Sequence, residues 1–279
     1  MHPYPWLIAH RGAMAEAPEN VAAGFDIAFS YGIDGIETDV QLSSDGIPVI
    51  FHDDTLRRIT GKKGSVADYP IAALQELDYG AWYAEAFRGE TILSLEALLR
   101  RYAGKGIFMI ELKSEAGRQD PSAYRSRLCR AAANTILQTV PEDRRKEIFI
   151  LSFDAGMVAH TRELAPSLNY VLNLGKPVSR KAADDVLHRG LWGYGLAFRK
   201  LTAGFVRQCH DRDKRVAVYS CNSPAEVSAA IELDTDVVMT DDPGEVAPYF
   251  SDLRESVTAA SRFRTEIKAN RQCNAGEGE

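Results

Sequence analysis

The sequence predicts a (β/α)8 TIM barrel with a small insertion after the second strand. Eight short apolar runs alternate with helical stretches, the pattern of repeated βα units around a parallel sheet. The length of 279 residues fits one barrel of about 250 residues plus extra segments. Titratable side chains also sit at the ends of several apolar runs, where barrels of this kind keep their chemistry. A doubly wound parallel sheet is the runner-up for the same alternation.

In order, the predicted strands are Trp6 to Ala9, Gly35 to Val40, Ile107 to Ile110, Ile148 to Leu151, Asn169 to Leu172, the Gly-rich Leu191 to Ala197, Arg215 to Tyr219 and Val237 to Met239. After the Asp45-Gly46 turn, Ile47 to Phe51 pairs with the extension of the second strand. The first helix is expected over Glu19 to Ser30, with Val21, Phe25 and Phe29 on one face. Further helices are expected at 94–103, 121–139, 154–165, 179–189, 202–212, 223–233 and 243–250. Ser94, Asp154, Thr202 and Ser223 are suited to cap four of them. Residues 53–93 are too long for a simple loop and form an excursion over the barrel mouth. One barrel domain over 1–258 is expected, with a polar, flexible tail at 259–279.

With 33 Lys and Arg against 39 Asp and Glu, the net charge is −6. That balance argues against nonspecific nucleic-acid binding, so an anionic substrate needs local cations or a metal. No apolar run approaches the roughly 20 residues of a membrane span, and no basic leader precedes an apolar core, so a cytoplasmic protein is expected. Cys129, Cys209, Cys221 and Cys273 are widely spaced and read as reduced thiols rather than a disulfide framework or zinc site.

The first 53 residues are the densest in chemistry. His10-Arg11 ends one apolar run, Glu37-Thr38-Asp39 sits late in the next, and His52-Asp53 ends a third. Side chains alternate along a strand, so Glu37 and Asp39 share a face, as do Glu111 and Lys113 on the third main strand. On a barrel these groups converge. Three carboxylates at one mouth repel unless protonated or bound to a metal, and an all-oxygen set suits Mg2+ or Ca2+. Arg11 and Lys113 supply charge for a phosphate. With two imidazoles able to exchange protons, the set suits phosphodiester cleavage.

Each signal alone has a bland explanation. A lone strand-end histidine is usually structural, and Glu-x-Asp or Glu-x-Lys is common on exposed strand faces. Their coincidence at the ends of consecutive predicted strands favours a site. His2, His160, His188 and His210 lie at the N-terminus or in helical stretches and receive no role.

The motif string His10-Arg11-Gly12, Pro18-Glu19-Asn20, Glu37-x-Asp39-Val40 and Asp45-Gly46-x-Pro48-Val49-x-x-His52-Asp53 resembles the glycerophosphodiester phosphodiesterase family. Glu111-Leu112-Lys113, Ser152-Phe153 and Thr240-Asp241-Asp242-Pro243 extend the resemblance over residues 7 to 250. It implies a TIM-barrel phosphodiesterase needing a divalent cation and acting on a small-molecule phosphodiester. By motif, His10 and His52 would be the general acid and base, Glu37, Asp39 and Glu111 the metal ligands, and Arg11 and Lys113 the phosphate contacts. Asn20 would support the loop beneath the site. The default reaction releases sn-glycerol 3-phosphate and an alcohol.

Two segments depart from the family pattern. Tyr219-Ser220-Cys221-Asn222 stands where Trp-Thr-x-Asn is common, and Ile92-Leu93-Ser94-Leu95-Glu96 lacks the usual proline. Tyr219 and Asn222 are therefore candidate rim residues, and a rim of Tyr219 with Trp82-Tyr83 would also suit a sugar-phosphate or opine-like diester. A cyclising lyase would use the same groups. A non-catalytic binding barrel should have lost a histidine or a ligand, and none is missing.

Overall fold

The computed structural model describes residues 5–114, 120–178 and 190–252. Eight parallel strands close on themselves: β1 (Trp6–His10), β2 (Gly35–Leu42), β4 (Ile107–Leu112), β5 (Ile148–Ser152), β6 (Asn169–Leu174), β7 (Gly193–Ala197), β8 (Arg215–Tyr219) and β9 (Val237–Thr240). Closure is made by the β1–β9 and β1–β2 pairs. The chain is a (β/α)8 barrel, and the doubly wound alternative is excluded because no sheet edge remains open between β1 and β9. The ninth strand, β3 (Pro48–Ile50), runs antiparallel to the end of β2.

The helices around the barrel include α1 (Ala22–Ser30), α4 (Leu95–Tyr102), α5 (Pro121–Thr139), α6 (Ala155–Leu164), α7 (Ala203–His210) and α8 (Pro224–Glu232). Ser94, Asp154, Thr202 and Ser223 each accept a backbone N–H at the start of a helix, so all four expected caps form. Residues 243–252 are helical as well. The stretch 179–189, the tail 259–279 and Cys273 lie outside the described residues. Cys129, Cys209 and Cys221 are buried free thiols.

Each strand splits its side chains between two apolar environments. Ile8, Met109, Phe149, Leu151, Val171, Ala217, Val237 and Met239 fill the barrel interior. Opposite-parity residues such as Ile36, Val40 and Ile110 pack under the helices with Phe25 and Tyr102. Phe25 is fully buried and meets the Tyr102 ring edge-on at 5.9 Å. Phe25→Ala is expected to cost about 3–5 kcal/mol through lost burial and the cavity left behind, read as a lower urea midpoint with an unchanged slope.

The excursion between 53 and 93 carries two short helices, α2 (Arg57–Thr60) and α3 (Ile71–Gln75). Its own apolar cluster joins Leu56, Ile59, Val66, Leu74 and Tyr79 to Val49 and Phe51 of the hairpin and to Val21. Packing at this seam seats the excursion beside the barrel mouth.

One expected boundary is corrected. The first helix starts at Ala22, not Glu19. Asn20 adopts a left-handed φ of 59°, and its amide is engaged with Asp39 and Thr38 rather than capping the helix. The turn Pro18 to Val21 thus belongs to the site.

Candidate active site

After β1, Arg11 (φ 57°) and Gly12 (φ 88°) both take left-handed backbone and turn the chain across the barrel mouth. A side chain at Gly12 would also meet the Gly24 backbone at 2.8 Å, so glycine is required there. The Arg11 N–H donates to the Glu37 carbonyl at 3.0 Å and faces its carboxylate at 3.3 Å, which holds the strained residue in place. His10 pairs in register with Glu37, and Asp39 with Glu111. Glu37 lies two residues below Asp39 on the same face, and the three carboxylates converge, with a ligand oxygen from each within 4.8 Å of the others.

The hairpin brings the second histidine back over this patch. The Phe51 N–H donates to the Asp39 carbonyl at 2.9 Å. Gln41, on the same face of β2 as Glu37 and Asp39, donates to the carbonyls of Phe51, His52 and Asp53 at 3.2, 3.2 and 2.8 Å. A single buried amide thus fixes the segment that carries His52.

His10, Arg11, Glu37, Asp39, His52, Glu111 and Lys113 line one cleft of about 210 Å3. Leu151, Phe153, Asn173, Tyr219 and Met239 form the rest of its wall. Seven sequence-predicted residues and Tyr219 therefore share one cavity. Asn222 stands apart: its amide donates to the Asp241 carboxylate at 2.8 Å, and its oxygen accepts from the Asp241 N–H. The side chain expected at the rim is exposed and buttresses Asp241.

Each histidine has a carboxylate on Nδ1, His10 with Asp241 at 2.6 Å and His52 with Asp53 at 2.9 Å. That pairing directs Nε2 of each ring to the other side, where a reacting group can be met. Burial alone would lower the His10 pKa, but the Asp241 hydrogen bond and the Glu37 charge outweigh it, and the net shift is upward.

The cations are shared out among the acids. Arg11 Nε lies 3.1 Å from Asp39 and its Nη1 3.3 Å from Glu19. Lys113 Nζ lies 3.1 Å from Glu111 and 3.4 Å from Asp39. Burial raises the Asp39 pKa, but Arg11 and Lys113 outweigh that and hold it down at about 2. Glu37 is left poorly compensated, and burial together with the Asp39 charge pushes it up to about 8. Glu111 is pushed up by the same two causes. Three buried carboxylates short of positive charge fit a divalent cation, and their hard oxygens match Mg2+ or Ca2+.

Sequence reasoning gave Asn173, Phe153 and Arg58 no role. Asn173 donates to Glu111 at 3.0 Å, and a methyl group at Gly195 would overlap its Oδ1. The glycine of β7 makes room for the amide of β6. The signal was present: Asn173 lies two residues past the inward-facing Val171, just beyond the expected strand end. Asp241 was quoted in a motif, but its contact with His10 spans 231 positions.

A closed barrel with two histidines, three acids and two cations crowded at one mouth is of the class suited to acid–base chemistry on an anionic substrate. Comparison with known proteins narrows the class. The profile of the glycerophosphoryl diester phosphodiesterase family matches residues 10–245, and the chain belongs to that family. YhdW of Bacillus subtilis, which bears the same family name, is 40% identical over 166 residues, covering 58% of this chain and 63% of that protein. A glycerophosphodiester phosphodiesterase of Caldanaerobacter subterraneus is 27% identical over 241 residues, covering 85% of this chain and 94% of the relative. Among solved structures, an Oleispira antarctica phosphodiesterase in complex with its product sn-glycerol-3-phosphate superimposes with a TM-score of 0.80 at 26% identity, covering 89% of this chain and 97% of its own.

Proposed function

We propose that this chain hydrolyses glycerophosphodiesters to sn-glycerol 3-phosphate and an alcohol, with His10 and His52 transferring the protons. The observation that carries this reading is the pair of histidines in one cleft, each oriented by its own carboxylate. The product held by the Oleispira enzyme supports the glycerol half of the substrate. Arg11 and Lys113 line the cleft, which supports them as the phosphate contacts. Glu37, Asp39 and Glu111 would hold a divalent cation, which would neutralise the charge that builds on the phosphate oxygens.

The upward shift of His10 supports its role as general acid, which leaves His52 as the base. His52 Nε2 takes a proton from water as the water oxygen bonds to phosphorus. The bond from phosphorus to the alcohol oxygen breaks, and that oxygen takes its proton from His10. Leu151, Phe153, Tyr219 and Met239 offer the alcohol a largely apolar stretch of the cleft wall. Among the described residues, no helix is long and apolar enough to cross a membrane.

The deciding experiment incubates the protein and a divalent cation with glycerophosphodiesters of different alcohols, together with sugar-phosphate and opine-like diesters, and follows phosphorus NMR. Release of sn-glycerol 3-phosphate with an equal amount of alcohol is expected. Accumulation of a cyclic phosphate would instead identify a lyase, and inertness towards every diester would refute the reading.

Asp241→Asn is expected to move the pH limb set by His10 to lower pH. The carboxylate favours the imidazolium, so removing its charge lowers the His10 pKa, and the acid loses its proton earlier as pH rises. A kcat profile whose alkaline limb stays in place would contradict the pairing.

A further inference from the structure

We propose that Arg58 is a positioning residue that locks His52 through Asp53, making the insertion a working part of the active site. This rests on the reading of His52 as a proton-transfer group. Arg58 lies on α2, in the excursion rather than the barrel. Its Nε and Nη2 donate to Asp53 at 2.6 and 2.8 Å. Its Nη1 and Nη2 donate to Glu19 at 2.9 Å each. The guanidinium carbon also sits 5.2 Å from the centre of the Trp82 ring, which holds the plane of the fork.

The consequence for His52 is geometric. The Asp53 oxygen that meets His52 Nδ1 at 2.9 Å is the one that accepts from Arg58 Nη2. A carboxylate pinned by a two-point guanidinium contact cannot swing, so the ring keeps one orientation and one tautomer. The other side of the fork extends the link across the cleft, since Glu19 also meets Arg11 at 3.3 Å. Arg58 therefore joins Asp53, which follows His52, to Glu19, which meets Arg11, the residue that follows His10. The oxygens of Glu19 and Asp53 with a nitrogen of His52 are spaced closely enough to hold a metal ion, but Arg58 already spans both carboxylates, and its charge persists at any working pH.

An ordinary exposed ion pair adds little to stability, so a surface role would leave turnover untouched. A positioning role predicts a different outcome. Misplacing a catalytic group by about 1 Å can cost roughly a hundredfold in rate. Arg58→Ala should accordingly lower kcat by about tenfold to a hundredfold, with KM little changed because the phosphate contacts remain. Arg58→Lys should not restore kcat, since a point charge cannot bridge two carboxylates with a planar fork.

The test measures kcat and KM for Arg58→Ala and Arg58→Lys, each with His52 present and in a His52→Ala background, alongside thermal melting. The expected result is a kcat loss that vanishes once His52 is gone, the mark of two residues acting through one group. If Arg58→Ala does not fold, Arg58→Lys carries the same comparison. An unchanged kcat, or an equal loss in both backgrounds, overturns the inference alone. Full turnover by His52→Ala overturns the functional reading, and this inference with it.

Discussion

Replacing His10 or His52 with alanine is expected to lower kcat by about two to four orders of magnitude, the usual span for a positioned proton-transfer group. Both imidazoles line a cleft of about 210 Å3 whose cations belong to other residues, so binding of sn-glycerol 3-phosphate should persist. Calorimetric titration of that product separates loss of chemistry from loss of the site. The two losses should not multiply, because each proton transfer needs its counterpart. A diester with a nitrophenolate leaving group refines the test. Its departing oxygen needs no proton, so the variant lacking the general acid should recover most of its rate. Recovery in His10→Ala alone supports the assignment made above, and recovery in His52→Ala alone reverses it. Retention of full turnover by both alanine variants would remove the histidines from the mechanism.

Chelation of divalent cations is expected to abolish turnover and to change how stability depends on pH. Glu37, buried beside Asp39, is pushed up from 4.5 to about 8. A carboxyl whose folded pKa lies above its unfolded value contributes fully below the unfolded pKa and loses that contribution as pH rises through the folded one. The metal-free protein should therefore lose stability between about pH 4.5 and 8. Binding the ion expels the Glu37 proton, so apparent affinity should climb over the same interval with release of a proton. An ion at one hundred times its Kd adds about 2.7 kcal/mol of stability, and the Tm difference between loaded and stripped protein should widen with pH. Glu37→Gln provides the converse: inactive, yet more stable than the stripped wild type at pH 8. Chelator-insensitive turnover, or a Tm difference flat in pH, would contradict the carboxylate site.

Much of the fold and site was legible because the informative features are local and periodic. Strand-end polar groups interrupt apolar runs, and Glu37 with Asp39, like Glu111 with Lys113, share a face through the two-residue period of a strand. Capping is equally local, and Ser94, Asp154, Thr202 and Ser223 act within three residues of themselves. Boundaries were less legible. The helix expected from Glu19 begins at Ala22 because Asn20 makes tertiary bonds to Asp39 and Thr38, which outweigh its part in a helical turn. Asn173 was missed because β6 runs two residues further than its apolar stretch.

By itself the sequence determined the barrel class, the seven polar residues of the cleft and the chemistry they suit, since residue type and strand parity are properties of the chain alone. Tertiary structure decided the partnerships. Asp241 reaches His10 across 231 positions because β9 closes the barrel against β1. Arg58 reaches Glu19 from 39 positions away because the insertion packs its apolar cluster over Val21, Val49 and Phe51. Asn222 is bonded to Asp241, 19 positions away. Hydrogen bonds depend on distance and direction, and those are set only when closure of the sheet and packing of the insertion bring remote segments together.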